Sequence, residues 1–309
     1  MPPAQTPARL TDEQLRDLLR LAKGSDSIEL KLTVPASGQR SALRSLGVDA
    51  LDAQIRQVFF FDTPDLKLYA AGINLRARRI QGKGEDSVVK LRPVDPEKLE
   101  AEWRLSPNMK VEVDAIPGGY VCSASMKGKP ATGDTRKVAL AGLPIQRLFS
   151  KEQRAFYALH APEGLDIDDL AVLGPIFVLK VGFTHEDFAR KLTAEMWLYP
   201  DGRRLLELST KCGPGETIQV ATEARLFFAD HGIDLSSAQE TKTKGALQFF
   251  AKELREATET DGVGDAEPTL AAESPEAPSG AEDQRAGESE NGEVLNEPAP
   301  STKPEGTTA

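Results

Sequence analysis

The sequence predicts an α+β fold: a closed antiparallel β-barrel with helices packed against its outside. Three observations carry this. At least four predicted strands have one apolar face and one face bearing charge. The charges on a given strand are often of one sign, as in Arg76 with Arg78 and Lys90 with Arg92, whereas ordinary half-buried sheets carry mixed signs on their solvated faces. Several helical segments are available to cover the apolar faces. A barrel with apolar faces outward under helices, and polar faces inward, accommodates all three. For any single strand the simpler alternative, a polar face turned to water, stays open.

The elements follow in order. Thr11 and Gln14 form a capping box, Leu15, Leu18 and Leu19 form a stripe, and Gly24 stops the first helix. In DSIELKLTVP (26–35), Ile28, Leu30, Leu32 and Val34 alternate with Ser27, Glu29, Lys31 and Thr33. Pro35 ends that strand, and 37–49 reads as a helix. A strand rich in β-branched and aromatic residues occupies 53–64. A short helix over 64–72 has Pro64 at its first position and ends in Gly72.

Alternation continues in the strands at 73–80 and 86–93, and at 109–115, where Lys110, Glu112 and Asp114 share one face. Residues 130–165 are less regular, with a helix expected over 144–164. A nearly continuous apolar strand over 171–183 is interrupted by Lys180. A hairpin over 191–212 turns at Pro200-Asp201-Gly202. Trp197 and Tyr199 read as packing residues, with Glu195 on their face. Helices over 215–232 and 236–256 close the fold.

Charge is unevenly distributed. Residues 256–309 hold 14 acidic residues against Arg285 and Lys303, leaving 34 acidic and 36 basic residues in the rest of the 309-residue chain. The tail is rich in Pro, Gly, Ser, Thr and Glu and has too few large apolar residues to offset the entropy of ordering, so disorder is expected there. The expected organisation is a helical extension at 1–24, a barrel domain at 25–255 and the acidic tail at 256–309. The nearly neutral body gives no support to nucleic-acid binding by general electrostatics. No segment is long and apolar enough to span a membrane, and MPPAQTPARL has no secretory apolar region. Cys122 and Cys212 lack CxxC spacing and read as small buried residues. A cytoplasmic protein, monomer or homodimer, is expected. His160, His185 and His231 show no HxxxH pairing, so no histidine metal site is expected.

IELKLTVP, FFFDTPDLKLYAAGINLRARRI, VVKLRP and LLELSTKC together resemble the CYTH superfamily, the triphosphate tunnel metalloenzymes. The most specific piece runs from Phe61-Asp62-Thr63-Pro64 through Leu68-Tyr69-Ala70-Ala71-Gly72 to Leu75-Arg76-Ala77-Arg78. The resemblance is strong over 27–92, weaker over 171–250 and absent from the tail. It implies an eight-stranded antiparallel tunnel that binds a triphosphate-containing small molecule, with Mg²⁺ or Mn²⁺. By resemblance, Glu29 and Glu207 are metal ligands, and Glu29, Lys31 and Glu207 are catalytic. Lys31, Arg76, Arg78, Lys90, Arg92 and Lys180 are the phosphate-binding residues it implies. Arg and Lys give directed, charge-assisted donors to phosphate, and a hard divalent ion takes carboxylate oxygens.

Two departures matter. Ser27 and Ser209 stand where the family has glutamates, which removes two carboxylates unless Glu112, Asp114 or Glu195 substitutes. Thr243-Lys244 sits where the family often has a Ser-Lys pair. The leading activity implied is metal-dependent hydrolysis of an inorganic or organic triphosphate. Binding of polyphosphate or nucleotide without turnover, and class IV adenylyl cyclisation, are the alternatives. QGKGED (81–86) reads as a turn rather than a phosphate loop.

Overall fold

The alternation read along the strands sorts them onto a single closed surface. The computed structural model describes residues 10–236 and 242–261. Its first elements are α1 (Asp12–Lys23), β1 (Ser27–Val34), α2 (Gln39–Ser45), β2 (Gln54–Asp62), α3 (Lys67–Ala70), β3 (Ile73–Ile80), β4 (Gly84–Leu91) and α4 (Ala101–Arg104). β5 (Met109–Ile116), β6 (Gly119–Gly128), α5 (Asp134–Ala141), α6 (Lys151–His160) and β7 (Ala171–His185) follow. β8 (Phe188–Leu198), β9 (Arg204–Cys212), α7 (Thr217–Asp230) and α8 (Lys242–Asp261) complete the chain described. The acidic tail expected from residue 256 lies outside the described residues from 262 onward, and the first nine residues of the expected N-terminal extension do too.

The strands close in the order β1-β5-β6-β4-β3-β2-β7-β8-β9. This corrects the expected eight-stranded antiparallel barrel in two respects. Nine strands are present among the described residues, and β1 runs parallel to β5, with Ser27 opposite Glu112 and Glu29 opposite Asp114. The two corrections have one cause. A closed ring of strands can alternate direction throughout only if their number is even, so a ninth strand forces a parallel pair. The strand missed by the sequence reading is β6, GYVCSASMKG. Its Ser123, Ala124 and Ser125 are small residues with weak strand preference, buried on both faces.

The outward faces form the main core beneath the helices. Ile28 and Leu32 of β1, Phe59 and Phe61 of β2, Leu75 of β3, Val89 of β4, and Val111 and Val113 of β5 join Leu21 of α1, Phe156 of α6 and Phe227 of α7. Each fully buried Leu, Ile or Phe of this layer contributes about 1.5–3 kcal/mol by leaving water. α1 carries the expected capping box and buries Leu18, Leu21 and Ala22. α6 is fastened through Gln153: its side chain donates to the Met126 carbonyl at 3.1 Å and accepts from the Ser87 hydroxyl at 3.0 Å. Gly128 makes room for it, since a Cβ there would fall 2.1 Å from Gln153 Oε1.

Local boundaries differ where side chains compete with helix geometry. α3 starts at Lys67, not at Pro64, because Leu66 adopts a left-handed backbone (φ 60°). Asp62 explains that turn. Its buried carboxylate accepts from the backbone N–H groups of Thr63 (2.7 Å), Leu68 (2.9 Å) and Tyr69 (2.9 Å). The helix expected over 144–164 divides into a 3-10 turn at Ile145–Leu148 and α6, with Ser150 and Gln153 making a capping box between them. The helix expected over 37–49 is the shorter α2. α8 buries Ala246, Leu247 and Phe250 in a second core with Val58 and Phe60 of β2, Ile176 and Val178 of β7, and Trp197 of β8. No helix among the described residues is long and apolar enough to cross a membrane.

Candidate active site

The inward strand faces enclose a cavity of about 860 Å³. β1 supplies Glu29, Lys31 and Thr33, β2 Arg56, β3 Arg76 and Arg78, and β4 Lys90. β5 adds Glu112 and Asp114, β7 Lys180, β8 Glu195, and β9 Glu207 and Lys211. Arg92 follows β4 on the same wall, Lys127 lies on β6, and Lys242 and Lys244 enter from the start of α8. Among the described residues the lining thus carries eleven Lys or Arg side chains against five carboxylates. Every residue singled out from the sequence as catalytic, metal-binding or phosphate-binding lies on this wall.

Those residues are not equivalent. Lys31 lies 2.8 Å from Asp114 and 3.2 Å from Glu29. Burial opposes its charge, but Asp114, Glu29 and Glu207 together outweigh burial and hold it charged well above the usual lysine range. Asp114 is likewise penalised by burial and then driven far below the usual carboxylate range by Lys31, Lys90 and Arg92. Arg92 lies 2.7 Å from Asp114 and Lys90 3.7 Å. Arg78 is committed to Asp86 through two hydrogen bonds of 2.8 and 2.6 Å. Lys180 donates to Glu195 at 2.8 Å.

Arg76 and Lys90 are the cations the site leaves least compensated. Burial, then Arg78, pushes Arg76 down to about 9. Burial, then Lys31, Arg92 and Arg76 against the pull of Asp114, pushes Lys90 down to about 8. The buried Nε atoms of Arg76 and Arg56 have no hydrogen-bond partner. Buried donors without acceptors cost of order 1–3 kcal/mol each, so the Nε donors of these two guanidinium groups await an acceptor, while Arg56 Nη2 already donates to Gln54 at 3.0 Å.

The two serines that replace expected glutamates act as donors. Ser27 Oγ donates to Glu112 at 3.1 Å and Ser209 Oγ to Glu29 at 3.2 Å. Each of the five lining carboxylates also meets a cation. Lys211 is 2.6 Å from Glu112, and Lys242 is 2.6 Å from both Glu195 and Glu207. Lys242 and Lys180 hold Glu195 well below the usual carboxylate range although burial opposes them.

Lys242 was missed by sequence reading, which looked to Thr243-Lys244. Tyr199 holds it by donating to its backbone carbonyl at 2.9 Å, and the ammonium lies 5.2 Å from the centre of the Trp197 ring. Trp197 is therefore a wall residue of the cavity as well as a packing residue. Arg56 was missed because Val58 and Phe60, on the same inward face of β2, break the polar row.

The donor set bears on an implied Mg²⁺ or Mn²⁺. Glu29 and Glu207 offer hard oxygen ligands on one wall, and both act on Lys31 electrostatically. Among the described residues, however, no three carboxylates of the cavity gather as a ligand cluster. That fits an ion held by one or two carboxylates, water and substrate phosphate, the usual arrangement for Mg²⁺. It does not fit an all-protein cage.

The fold and the wall define a closed mixed β-barrel with a cation-rich interior. Among the solved structures similar to the chain, two share its fold. A putative adenylate cyclase from Bacillus halodurans aligns with a TM-score of 0.50 at 15% identity, over 71% of this chain and 96% of that one. A putative adenylyl cyclase from Hippeastrum, described as having a dominant triphosphatase activity, aligns with a TM-score of 0.52 at 16% identity, over 71% and 93%. At such identities the likeness establishes a common fold. No protein-family model and no curated protein matches the chain.

Proposed function

We propose that the barrel is a CYTH-type triphosphate tunnel that binds the triphosphate of a small molecule and hydrolyses its terminal anhydride with Mg²⁺ or Mn²⁺. One observation carries this reading: the unpartnered buried guanidinium nitrogens of Arg56 and Arg76 in a wall with six more cations than anions. A triphosphate brings about four negative charges at neutral pH. The Hippeastrum protein's described triphosphatase activity agrees with the proposal.

Arg56, Arg76 and Lys90 take the phosphate oxygens, and Arg78, Arg92 and Lys180 complete the positive wall. Water attacks the terminal phosphorus and gives up a proton to bulk solvent, the P–O anhydride bond breaks, and its electron pair stays on the leaving oxygen. Lys31, kept charged by Asp114 and Glu29, stabilises that developing charge. Glu29 and Glu207 would hold the metal ion, which when bound would supply further positive charge to the site. Ser209 orients Glu29 through its hydroxyl.

A second reading, binding without turnover, is favoured by one feature: every cavity carboxylate already faces a lysine or arginine at 3.2 Å or less. The decisive experiment offers inorganic triphosphate, ATP and thiamine triphosphate to the purified protein with Mg²⁺ or Mn²⁺. Phosphate release supports the hydrolase. Triphosphate binding without release in any pairing sinks it in favour of the binder, and cyclic AMP from ATP sinks it in favour of the cyclase.

A further inference from the structure

A second cluster of ligating side chains lies outside the cavity. His185 ends β7, Asp187 lies in the turn to β8, and His231 immediately follows α7. His231 is 46 residues from His185, which is why the spacing of the histidines gave no sign of a metal site. The fold brings the three together. One ligand atom from each lies within 4.8 Å of the other two, the one such trio among the described residues.

The ring nitrogens that face Asp187 differ in their hydrogen bonds. His231 Nδ1 lies 2.8 Å from the Phe227 carbonyl. A carbonyl only accepts, so Nδ1 carries the proton and Nε2 keeps its lone pair. Nε2 points toward Asp187, 4.0 Å from Oδ2. The Asp187 backbone N–H donates to His185 Nδ1 at 3.2 Å, a long bond that zinc would displace to take the same lone pair, and this nitrogen lies 3.7 Å from the same Oδ2. Both imidazoles pack on Phe227, with centroids at 5.1 and 4.4 Å, and cross each other at 87°. Their side chains are 17% and 14% exposed, while that of Asp187 is 66% exposed and leaves the outer side to water.

We infer that His185, Asp187 and His231 form a Zn²⁺ site that clasps the β7–β8 turn to the end of α7. Tetrahedral Zn²⁺ with ligands at about 2.0–2.1 Å needs ligand atoms about 3.3 Å apart. The two separations from Asp187 Oδ2, 3.7 and 4.0 Å, would close by about 0.4 and 0.7 Å on binding. Two imidazoles and one carboxylate suit zinc better than Mg²⁺ or Ca²⁺, which take oxygen ligands. The His231 Nδ1–H bond to a backbone carbonyl is the outer-sphere contact that orients a ligating imidazole. Water takes the fourth position. The site is independent of the proposed chemistry in the barrel.

The test titrates the metal-free full-length chain with Zn²⁺ calorimetrically, and with Co²⁺ followed by its visible absorption. One equivalent of zinc and intense tetrahedral cobalt bands are expected. His231→Gln and His185→Gln should abolish both. Asp187→Asn, at an exposed position, should weaken zinc binding about tenfold or more without disturbing the fold, and keeps the test valid if the histidine variants unfold. Glu207→Gln should leave the cobalt bands unchanged, which separates this site from the cavity. Absence of one-equivalent binding, only weak multiple binding, or equal binding by Asp187→Asn overturns the assignment.

Discussion

Lys242 Nζ lies 2.6 Å from Glu207 Oε1, so the first residue of α8 neutralises a carboxylate of the last barrel strand. The same ammonium lies 2.6 Å from Glu195. Lys242→Ala leaves two partly buried carboxylates without this shared cation. Removing one partner of a buried charge cluster costs about 3–5 kcal/mol. A loss of that order is expected in urea unfolding, with Mg²⁺ or Mn²⁺ restoring part of it. Unchanged stability would place Lys242 away from both acids.

Arg76 and Arg78 neighbour each other on β3 but should behave differently. Arg76 keeps a buried donor without an acceptor, whereas Arg78 is bound twice by Asp86. Arg76→Ala should weaken triphosphate binding by about 1.5–3 kcal/mol, roughly tenfold to more than a hundredfold. Arg78→Ala should show its larger effect on stability, because it strands Asp86. The double variant should not bind measurably. Isothermal titration with inorganic triphosphate checks all three, and unchanged affinity in the double variant would turn both arginines away from the ligand.

Lys90 gives the cavity a pH dependence. Burial and neighbouring cations bring it down to about 8 in the free protein. Above that pH it progressively loses its proton, while a bound polyanion favours the charged form. Triphosphate affinity should therefore fall as pH rises past about 8, and binding there should take up protons. The effect on folding has the opposite sign. A lysine whose folded value is depressed binds fewer protons than the unfolded chain between about 8 and 10.4, so its contribution to stability rises with pH across that window. Titrations in buffers of different ionisation heat measure the proton uptake, and Lys90→Gln should flatten it.

Asp62 tests the turn between β2 and α3. Its carboxylate is 1% exposed as a residue and accepts three backbone N–H groups. Asp62→Ala strands all three donors and should cost about 2–4 kcal/mol in chemical denaturation. Asp62→Asn should cost less, since one amide oxygen still accepts.

Much of the barrel was legible because strand geometry turns a two-residue period into two faces. Glu29 and Lys31, Arg76 and Arg78, and Lys90 with Arg92 could be placed together from that period alone. β6 was not legible, because its faces are built from Ser, Ala and Cys, too alike in polarity to separate. Lys242 was illegible for another reason. A helix N-terminal residue acquires its position from the packing of Ala246, Leu247 and Phe250 several residues later. The His185–His231 pairing depends on α7 folding back over the β7–β8 turn, and no local spacing encodes such a return.

The seam between β1 and β9 has a consequence for biogenesis. Glu29 and Lys31 can meet Asp114 of β5 early, but their second set of neighbours, Ser209 and Lys211, arrives only with β9. The wall remains incomplete until Lys242 arrives. A ribosome therefore releases most of the chain before its charged interior can be sheltered. Such distant pairings slow folding, and an emerging chain would expose its apolar strand faces meanwhile. Early truncation should yield aggregation-prone fragments rather than a smaller working barrel.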